Sequence, residues 1–247
     1  MEQVALIGDI HGNLPAFEAV LADIDRRGIE RIICLGDVAG KGPSGAAVVD
    51  ICRQRCAVTI QGNWDAGLAQ PADHPAVQWC QQELGAERLD WLGGLPFRFD
   101  FVLSGQRIRL VHASPQGVNQ RVLQSAPLQQ LLMMFESTDL TDPEFVPDVV
   151  GYADSHTPFV RTFSQRTLFN IGSVGNPLDT PLAAWTVLEG SIDDPAKSPW
   201  GVQIVRVPYD IERAIAGARE ARFPEAEAWG RELTTPSYRR EMQDRPD

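Results

Sequence analysis

Val4-Ala5-Leu6-Ile7-Gly8-Asp9-Ile10-His11-Gly12-Asn13 begins with four apolar residues and ends with a carboxylate and an imidazole set among glycines, two positions apart. The apolar run reads as a buried strand, and the glycines allow a tight exit with little side-chain bulk. Asp9 and His11 then project from the strand's C-terminal rim. In open α/β sheets ligands bind at that rim, and an oxygen and a nitrogen donor converging there suit a divalent metal.

The next segments repeat the pattern. Asn13 is placed to cap a helix with Pro15 in its first turn, and Phe17, Val20, Leu21 and Ile24 fall at i, i+3, i+4 and i+7. Gly28 closes that helix, and Ile32 to Leu35 form a second strand that ends in Gly36-Asp37. A strand-helix-strand order favours a right-handed crossover to a parallel neighbour, so Asp37 should reach the same rim as Asp9 and His11. A glycine-rich loop, a helix over 46–54 and a strand over 57–60 lead to Gly62-Asn63-Trp64-Asp65. Three consecutive strands thus end in glycine plus a polar residue able to ligate or orient.

Further along, residues 66–97 read as an irregular helical segment anchored by Trp79 and Trp91, a cap-like insertion over the site. Strands over 97–103 and 107–111 form a hairpin around Ser104-Gly105, and the second ends at His112-Ala113-Ser114-Pro115. Leu128, Leu131, Leu132 and Phe135 mark the core face of a helix. Asp148 to Val150 lead into Gly151-Tyr152-Ala153-Asp154-Ser155-His156, and strands over 159–163 and 167–170 reach Ile171-Gly172-Ser173-Val174-Gly175. Strands over 182–188 and 202–207 finish the sheets, and the chain beyond Tyr209 reads as surface helix. The organisation expected is a single domain over 1–233 and a polar tail over 234–247.

At 247 residues and 43% hydrophobic positions the chain can bury a substantial core. It has no N-terminal basic segment followed by an apolar stretch and no run approaching the ~18 apolar residues of a membrane span, which predicts a cytoplasmic protein with no membrane partner. Cys34, Cys52, Cys56 and Cys80 show no CxxC pairing, as expected of reduced core thiols. A net charge of −11 argues against a general nucleic-acid surface, and hence against a nuclease. It is compatible with a small phosphorylated substrate such as a nucleotide, because bound cations can reverse the local field.

In this order the motifs resemble the calcineurin-like binuclear metallophosphoesterase superfamily, nearest to its small bacterial and archaeal phosphodiesterase branch. The family pattern is D-x-H, G-D-x-x-x-x-G-P, G-N-H-D, a histidine before S-P, G-H-x-H, and N-P-G-S-V-G. Here it reads Asp9-Ile10-His11, Gly36-Asp37 through Gly42-Pro43, Gly62-Asn63-Trp64-Asp65, His112 with Ser114-Pro115, Ala153-Asp154-Ser155-His156, and Asn170-Ile171-Gly172-Ser173-Val174-Gly175. The resemblance spans about residues 3 to 210. It implies an α/β fold, a four-layer αββα sandwich with two mixed β-sheets. It also implies two divalent ions, one held by Asp9, His11, Asp37 and His156 and the other by Asp37, Asn63, His112 and Asp154, with Asp37 bridging. A hydroxide held between the ions would attack phosphorus in line.

Two positions depart from the family. Asp154 stands where the family has histidine, in the alignment that counts back from Pro158; an alternative alignment makes His156 the first histidine of the pair and leaves Pro158 as the second. An extra carboxylate hardens the second site, favouring manganese or iron, with zinc or nickel as alternatives. Trp64 replaces the histidine that resembles a general acid. Indole cannot transfer its N–H proton at neutral pH, and loss of a general acid costs about 10² to 10⁴ in rate for leaving groups that need one. A phosphate leaving an anhydride, or a phenolate, departs unaided. The residues therefore point to a phosphoanhydride, such as a dinucleoside polyphosphate, or to an activated phosphodiester, with Trp64 offering a face on which a base can stack. The competing reading is a metal- or nucleotide-binding regulatory protein with weakened catalysis. Asp37, Asn63, Trp64 and Asp65 are the expected catalytic residues, with Asp65 accepting from the Trp64 indole or from a ligand's neighbour. His74 is a candidate replacement acid, and Lys41 and Arg161 are candidate phosphate contacts.

Overall fold

The computed structural model describes residues 1–237, so most of the polar tail expected over 234–247 lies outside the described residues. Ten strands and seven helices follow in the order β1 (Glu2–Ile7), α1 (Leu14–Arg26), β2 (Arg31–Cys34), α2 (Gly45–Arg55), β3 (Val58–Thr59), α3 (Asn63–Leu68), α4 (Pro75–Gly93), β4 (Arg98–Leu103), β5 (Gln106–Val111), α5 (Leu128–Met133), β6 (Val149–Tyr152), β7 (Phe159–Phe163), β8 (Arg166–Asn170), β9 (Ala183–Gly190), β10 (Gly201–Val207), α6 (Ile211–Glu220) and α7 (Ala226–Thr234). They build two mixed five-stranded sheets, β10-β9-β1-β2-β3 and β4-β5-β6-β8-β7. The parallel pairs β1/β2, β2/β3, β5/β6 and β6/β8 place several strand exits on a common rim.

Side chains alternate across each strand, so one sheet feeds two cores. In β1, Val4 and Leu6 face the second sheet and pack with Leu103, Ile108, Leu110 and Phe169. Ala5 and Ile7 face the other way, onto Phe17, Val20 and Ile24 of α1 and Val48 and Val49 of α2. A third cluster covers the outer face of the second sheet, where Leu131, Met134 and Phe135 meet Val111, Val150 and Tyr152. Both faces of β1 are covered, which is why it reads as a continuous apolar run. The layers are helix, sheet, sheet, helix, the sandwich expected from the motifs.

Local signals hold where they were strongest. The Asn13 side chain accepts from the Ala16 N–H at 3.3 Å, capping α1. Ser104 (φ 50°) and Gly105 (φ 74°) both take positive φ between β4 and β5, as a two-residue hairpin turn demands. The segment expected as a cap-like insertion contributes Leu68, Ala76, Cys80, Leu84 and Leu92 to the core of the first sheet. The region beyond Tyr209 differs from expectation. Helix α7 is not simply a surface helix, because Trp229 is fully buried and Glu232 is 3% exposed. Its apolar residues Ala226, Trp229 and Leu233 recur at helical spacing and form a stripe against the core.

Candidate metal centre

The strand exits are stitched together by backbone hydrogen bonds that continue past the strands. Asp9 N–H donates to Gly36 O at 3.0 Å, and His11 N–H to Asp37 O at 3.0 Å. Gly175 N–H donates to Asp9 O at 2.9 Å, and Ala153 N–H to His112 O at 2.8 Å. At the rim, Asp9, His11, Asp37, Asp154 and His156 all adopt positive φ, between 49° and 60°. This region is costly for side chains in general and least so for Asp, Asn and His; it persists where the surrounding structure enforces it.

Two groups of ligand atoms result. Asp9, His11 and His156 form one, all buried, and Asp9, Asp37 and His112 form the other. His11 Nε2 and His156 Nε2 face each other at 3.3 Å. His156 Nδ1–H donates to Asn176 O at 2.5 Å, which leaves the Nε2 lone pair pointing inward. Asp9 Oδ1 lies 3.5 Å from His156 Nε2 and 3.8 Å from His11 Nε2, and Asp37 Oδ2 lies 3.6 Å from His11 Nε2. On the other side, His112 Nδ1–H donates to Leu35 O at 2.7 Å. Its Nε2 faces Asn63 Oδ1 at 3.0 Å, Asp37 Oδ1 at 3.4 Å and Asp154 Oδ1 at 4.0 Å. Asp37 thus turns one oxygen toward each group. The seven residues expected as metal ligands come together here, with His156 on the Asp9 side and Asp154 on the His112 side.

Electron pairs converge at this centre and donors are scarce. Both carboxylate oxygens of Asp9 are buried without a hydrogen-bond partner. Leaving such atoms unpaired is expensive, and a cation removes the cost. Burial pushes the Asp9 carboxyl well above the usual carboxylate range, and burial also pushes the His11 and His156 imidazoles well below theirs. For His112, burial opposes the charged form, but Asp37, Asp9 and Asp154 outweigh it and hold the imidazolium well above the ordinary range. Carboxylates and imidazoles with these lone-pair directions fit divalent ions.

The other expected residues are placed as follows. Asp65 Oδ2 accepts from the backbone N–H of Asp37 at 2.8 Å and of Gly62 at 2.9 Å, and Oδ1 accepts from Val38 at 3.0 Å. It holds the Asp37 loop in shape; its partners are these amides and not the indole of Trp64. The Trp64 backbone N–H donates to Asp37 Oδ1 at 2.8 Å, and its ring meets His11 edge-on at 6.0 Å. Gly40 makes room for that ring, since a Cβ there would stand 2.4 Å from it. His74 is exposed and lies 3.9 Å from Glu225, and Arg161 sits on exposed β7 with its guanidinium 4.9 Å over the Phe163 ring. Lys41, also at positive φ, donates to Asn176 Oδ1 at 3.0 Å. Sequence reasoning missed Arg121, whose Nε and Nη2 donate to both oxygens of Asp154 at 2.8 and 2.9 Å. The available signal was charge: an acid in place of a neutral histidine needs a compensating cation.

A sequence model of the calcineurin-like phosphoesterase superfamily domain matches residues 2–191. The chain belongs to this superfamily. Calcineurin-like phosphoesterases use divalent metals, and the two ligand groups lie within the matched span. The chain is 29% identical over 252 residues to the uncharacterized protein MJ0912 of Methanocaldococcus jannaschii, covering 90% of this chain and 94% of that one. It is 24% identical over 208 residues to phosphodiesterase YfcE of Escherichia coli, covering 78% and 90%. The crystal structure of a metallophosphoesterase from Sphaerobacter thermophilus superposes with a TM-score of 0.76 at 26% identity, covering 95% and 99%. Among the described residues of this superfamily member no helix is long and apolar enough to cross a membrane.

Two predictions follow from the geometry around Asp37. A Cβ on Gly62 would stand 2.1 Å from Asp37 Oδ1 and 2.4 Å from its amide nitrogen. Gly62→Ala should therefore cost about 3 kcal/mol, a fall of roughly 6 to 12 °C in thermal midpoint at this chain length, together with metal loss. A midpoint and metal content equal to the parent's would contradict this packing. The second concerns pH. Burial, reinforced by Asp37, pushes the Asp65 carboxyl up to about 7. Between about pH 7 and about pH 8, folded metal-free protein holds the His112 proton and, at the lower end, part of the Asp65 proton, which the unfolded chain has largely released, so stability falls as pH rises. His11 and His156 are neutral when folded, and above about pH 7 they are mostly neutral in the unfolded chain too, so they oppose this trend only weakly. Calorimetry on chelator-treated protein should give a lower midpoint at the alkaline end, and a rising midpoint would refute the assignment.

Proposed function

We propose that this chain is a metal-dependent phosphohydrolase that cleaves a phosphoanhydride or an activated phosphodiester, with a dinucleoside polyphosphate as a candidate substrate. The observation that carries this reading is the convergence of Asp9, His11, Asp37, His112 and His156 lone pairs around buried carboxylate oxygens that have no donor. Divalent ions held by these residues, manganese or iron by preference, would lower the pKa of a bound water and offset phosphoryl charge. The chain's residues do the rest. Asp37 orients toward both ligand groups, and the Asp65 carboxylate fixes the Asp37 backbone. The Leu35 and Asn176 carbonyls fix the imidazoles of His112 and His156 with Nε2 inward.

Trp64 narrows the substrate. With no proton donor at that position, the leaving group has to be stable as an anion, and the half-buried indole offers a surface to a nucleobase. The unit is taken to run over 1–233 and to work in the cytoplasm, where its four free cysteines would remain reduced.

The test is the dependence of rate on leaving-group pKa, measured with manganese-loaded protein and a series of aryl and alkyl phosphodiesters. A steep fall in rate as the leaving group becomes more basic supports a hydrolase working without a general acid. Negligible turnover throughout, with metal bound, supports the regulatory reading. A flat dependence with good turnover would show that another group supplies the proton.

A further inference from the structure

A cavity of about 420 Å³ opens between the segment that leads into Asn63 and the segment that follows His112, and Gln61, Phe97, Gln116, Asn119, Gln120 and Leu140 line it. That volume falls in the range of small-molecule sites, and no charged side chain is part of the lining. Backbone hydrogen bonds hold the walls in place. Gln61 N–H donates to Pro96 O at 2.8 Å, Gly117 N–H to Ser114 O at 3.2 Å, and Gln120 N–H to Gly117 O at 3.2 Å. Two of the side-chain amides are fixed as well. Gln61 Nε2 donates to Leu92 O at 3.0 Å and to Gly93 O at 3.1 Å, which engages both of its N–H groups and leaves Oε1 open. Gln116 Nε2 donates to Met133 O at 3.0 Å, so one N–H and Oε1 remain. Turning either amide over would set its oxygen against a carbonyl, so these bonds decide which end of each amide is the acceptor.

We infer that this cavity is a base-recognition subsite, which takes the nucleobase of a nucleotide whose phosphates lie at the metal centre and selects a base with an exocyclic amine beside a ring nitrogen, as in adenine and cytosine. The inference rests on the hydrolase reading and narrows its substrate class. A lining without cations has nothing to hold a phosphate, whereas open amide groups suit a neutral ring that both donates and accepts. A glutamine with Oε1 and one N–H to spare can meet such an edge in a bidentate pair, accepting from the amine and donating to the ring nitrogen. Gln61 Oε1 is a second acceptor for the amine, and the partly buried Phe97 offers apolar surface to the ring. A base with an oxygen in place of the amine would set that oxygen against an amide oxygen. Stacking on Trp64 tolerates any base, so contacts to base edges are what separate one base from another.

The test is binding, which needs no turnover. Metal-loaded full-length protein is titrated calorimetrically with the α,β-methylene diphosphates of adenosine and inosine, and with those of cytidine and uridine, none of which can be cleaved at the bridge. Within each pair the ring size is the same and the amine is exchanged for oxygen. In one of the pairs the amine member should bind about 10-fold more tightly, as expected of a bidentate amide contact, and that pair identifies the base. Gln116→Leu should bring the ratio close to one, and Gln61→Leu should lower it in part. Thermal melts establish folding; the two glutamines hold different carbonyls, so one variant decides the case if the other melts early. No binding of any analogue, a ratio of one in both pairs for the parent, or a ratio that survives both substitutions would overturn the inference. Turnover of bis(4-nitrophenyl) phosphate, which carries no base, is measured on the parent alongside. Turnover without a base preference removes the subsite alone, and a base preference without turnover of this diester or of the natural nucleoside diphosphates removes the hydrolase reading and leaves the subsite.

Discussion

Asp37→Asn should lower kcat/KM on an activated diester by about 10³-fold or more, a loss of several kcal/mol in transition-state stabilisation. One oxygen of Asp37 lies 3.6 Å from His11 Nε2 and the other 3.4 Å from His112 Nε2, so this carboxylate turns a different oxygen toward each side of the centre. The substitution keeps shape and removes charge. The loop should survive, because Asp65 grips it through the amides of Gly62, Asp37 and Val38 and makes no use of the Asp37 carboxylate. The expected pattern is a folded protein with reduced metal content and little turnover. Elemental analysis and steady-state kinetics on the same sample check it. A variant that keeps full metal and full activity would mean that Asp37 takes no part in holding metal.

Trp64→His should act in the opposite direction and on one class of substrate. An imidazole there can donate the proton that indole cannot, so turnover of esters with alkoxide leaving groups should rise by about 10² to 10⁴. Turnover of aryl esters should change by less than about threefold, because a phenolate needs no proton to depart. The backbone N–H at position 64 continues to donate to Asp37 Oδ1, and the space over Gly40 is larger than the new ring requires. A folded, metal-loaded variant showing no gain on alkyl esters would remove the explanation given for position 64.

The candidate ligands were legible because they close apolar runs. Asp9, His11 and Asp37 follow strands whose both faces are buried, and polar residues at such exits stand out in the sequence. The layer order was legible for the same reason, since the strand-helix-strand pattern from Val4 to Cys34 leaves one handedness of crossover. What stayed hidden is pairing across long separations. Nothing near Arg121 in the chain announces its partner Asp154, 33 residues on. The Lys41-Asn176-Glu232 chain joins three segments that share no motif, and α7 concealed its role behind a polar composition. Asp65 could be recognised as a neighbour of the site, but its partners are backbone amides, which the sequence does not distinguish from any others.

The most direct measurement is turnover of an activated phosphodiester as manganese is added back to chelator-stripped protein. The account predicts no turnover without metal and a rise that levels off near two ions per chain, as a paired site held by Asp37 requires. Turnover that persists in the stripped protein, or that is indifferent to added metal while the chain remains folded, would contradict it.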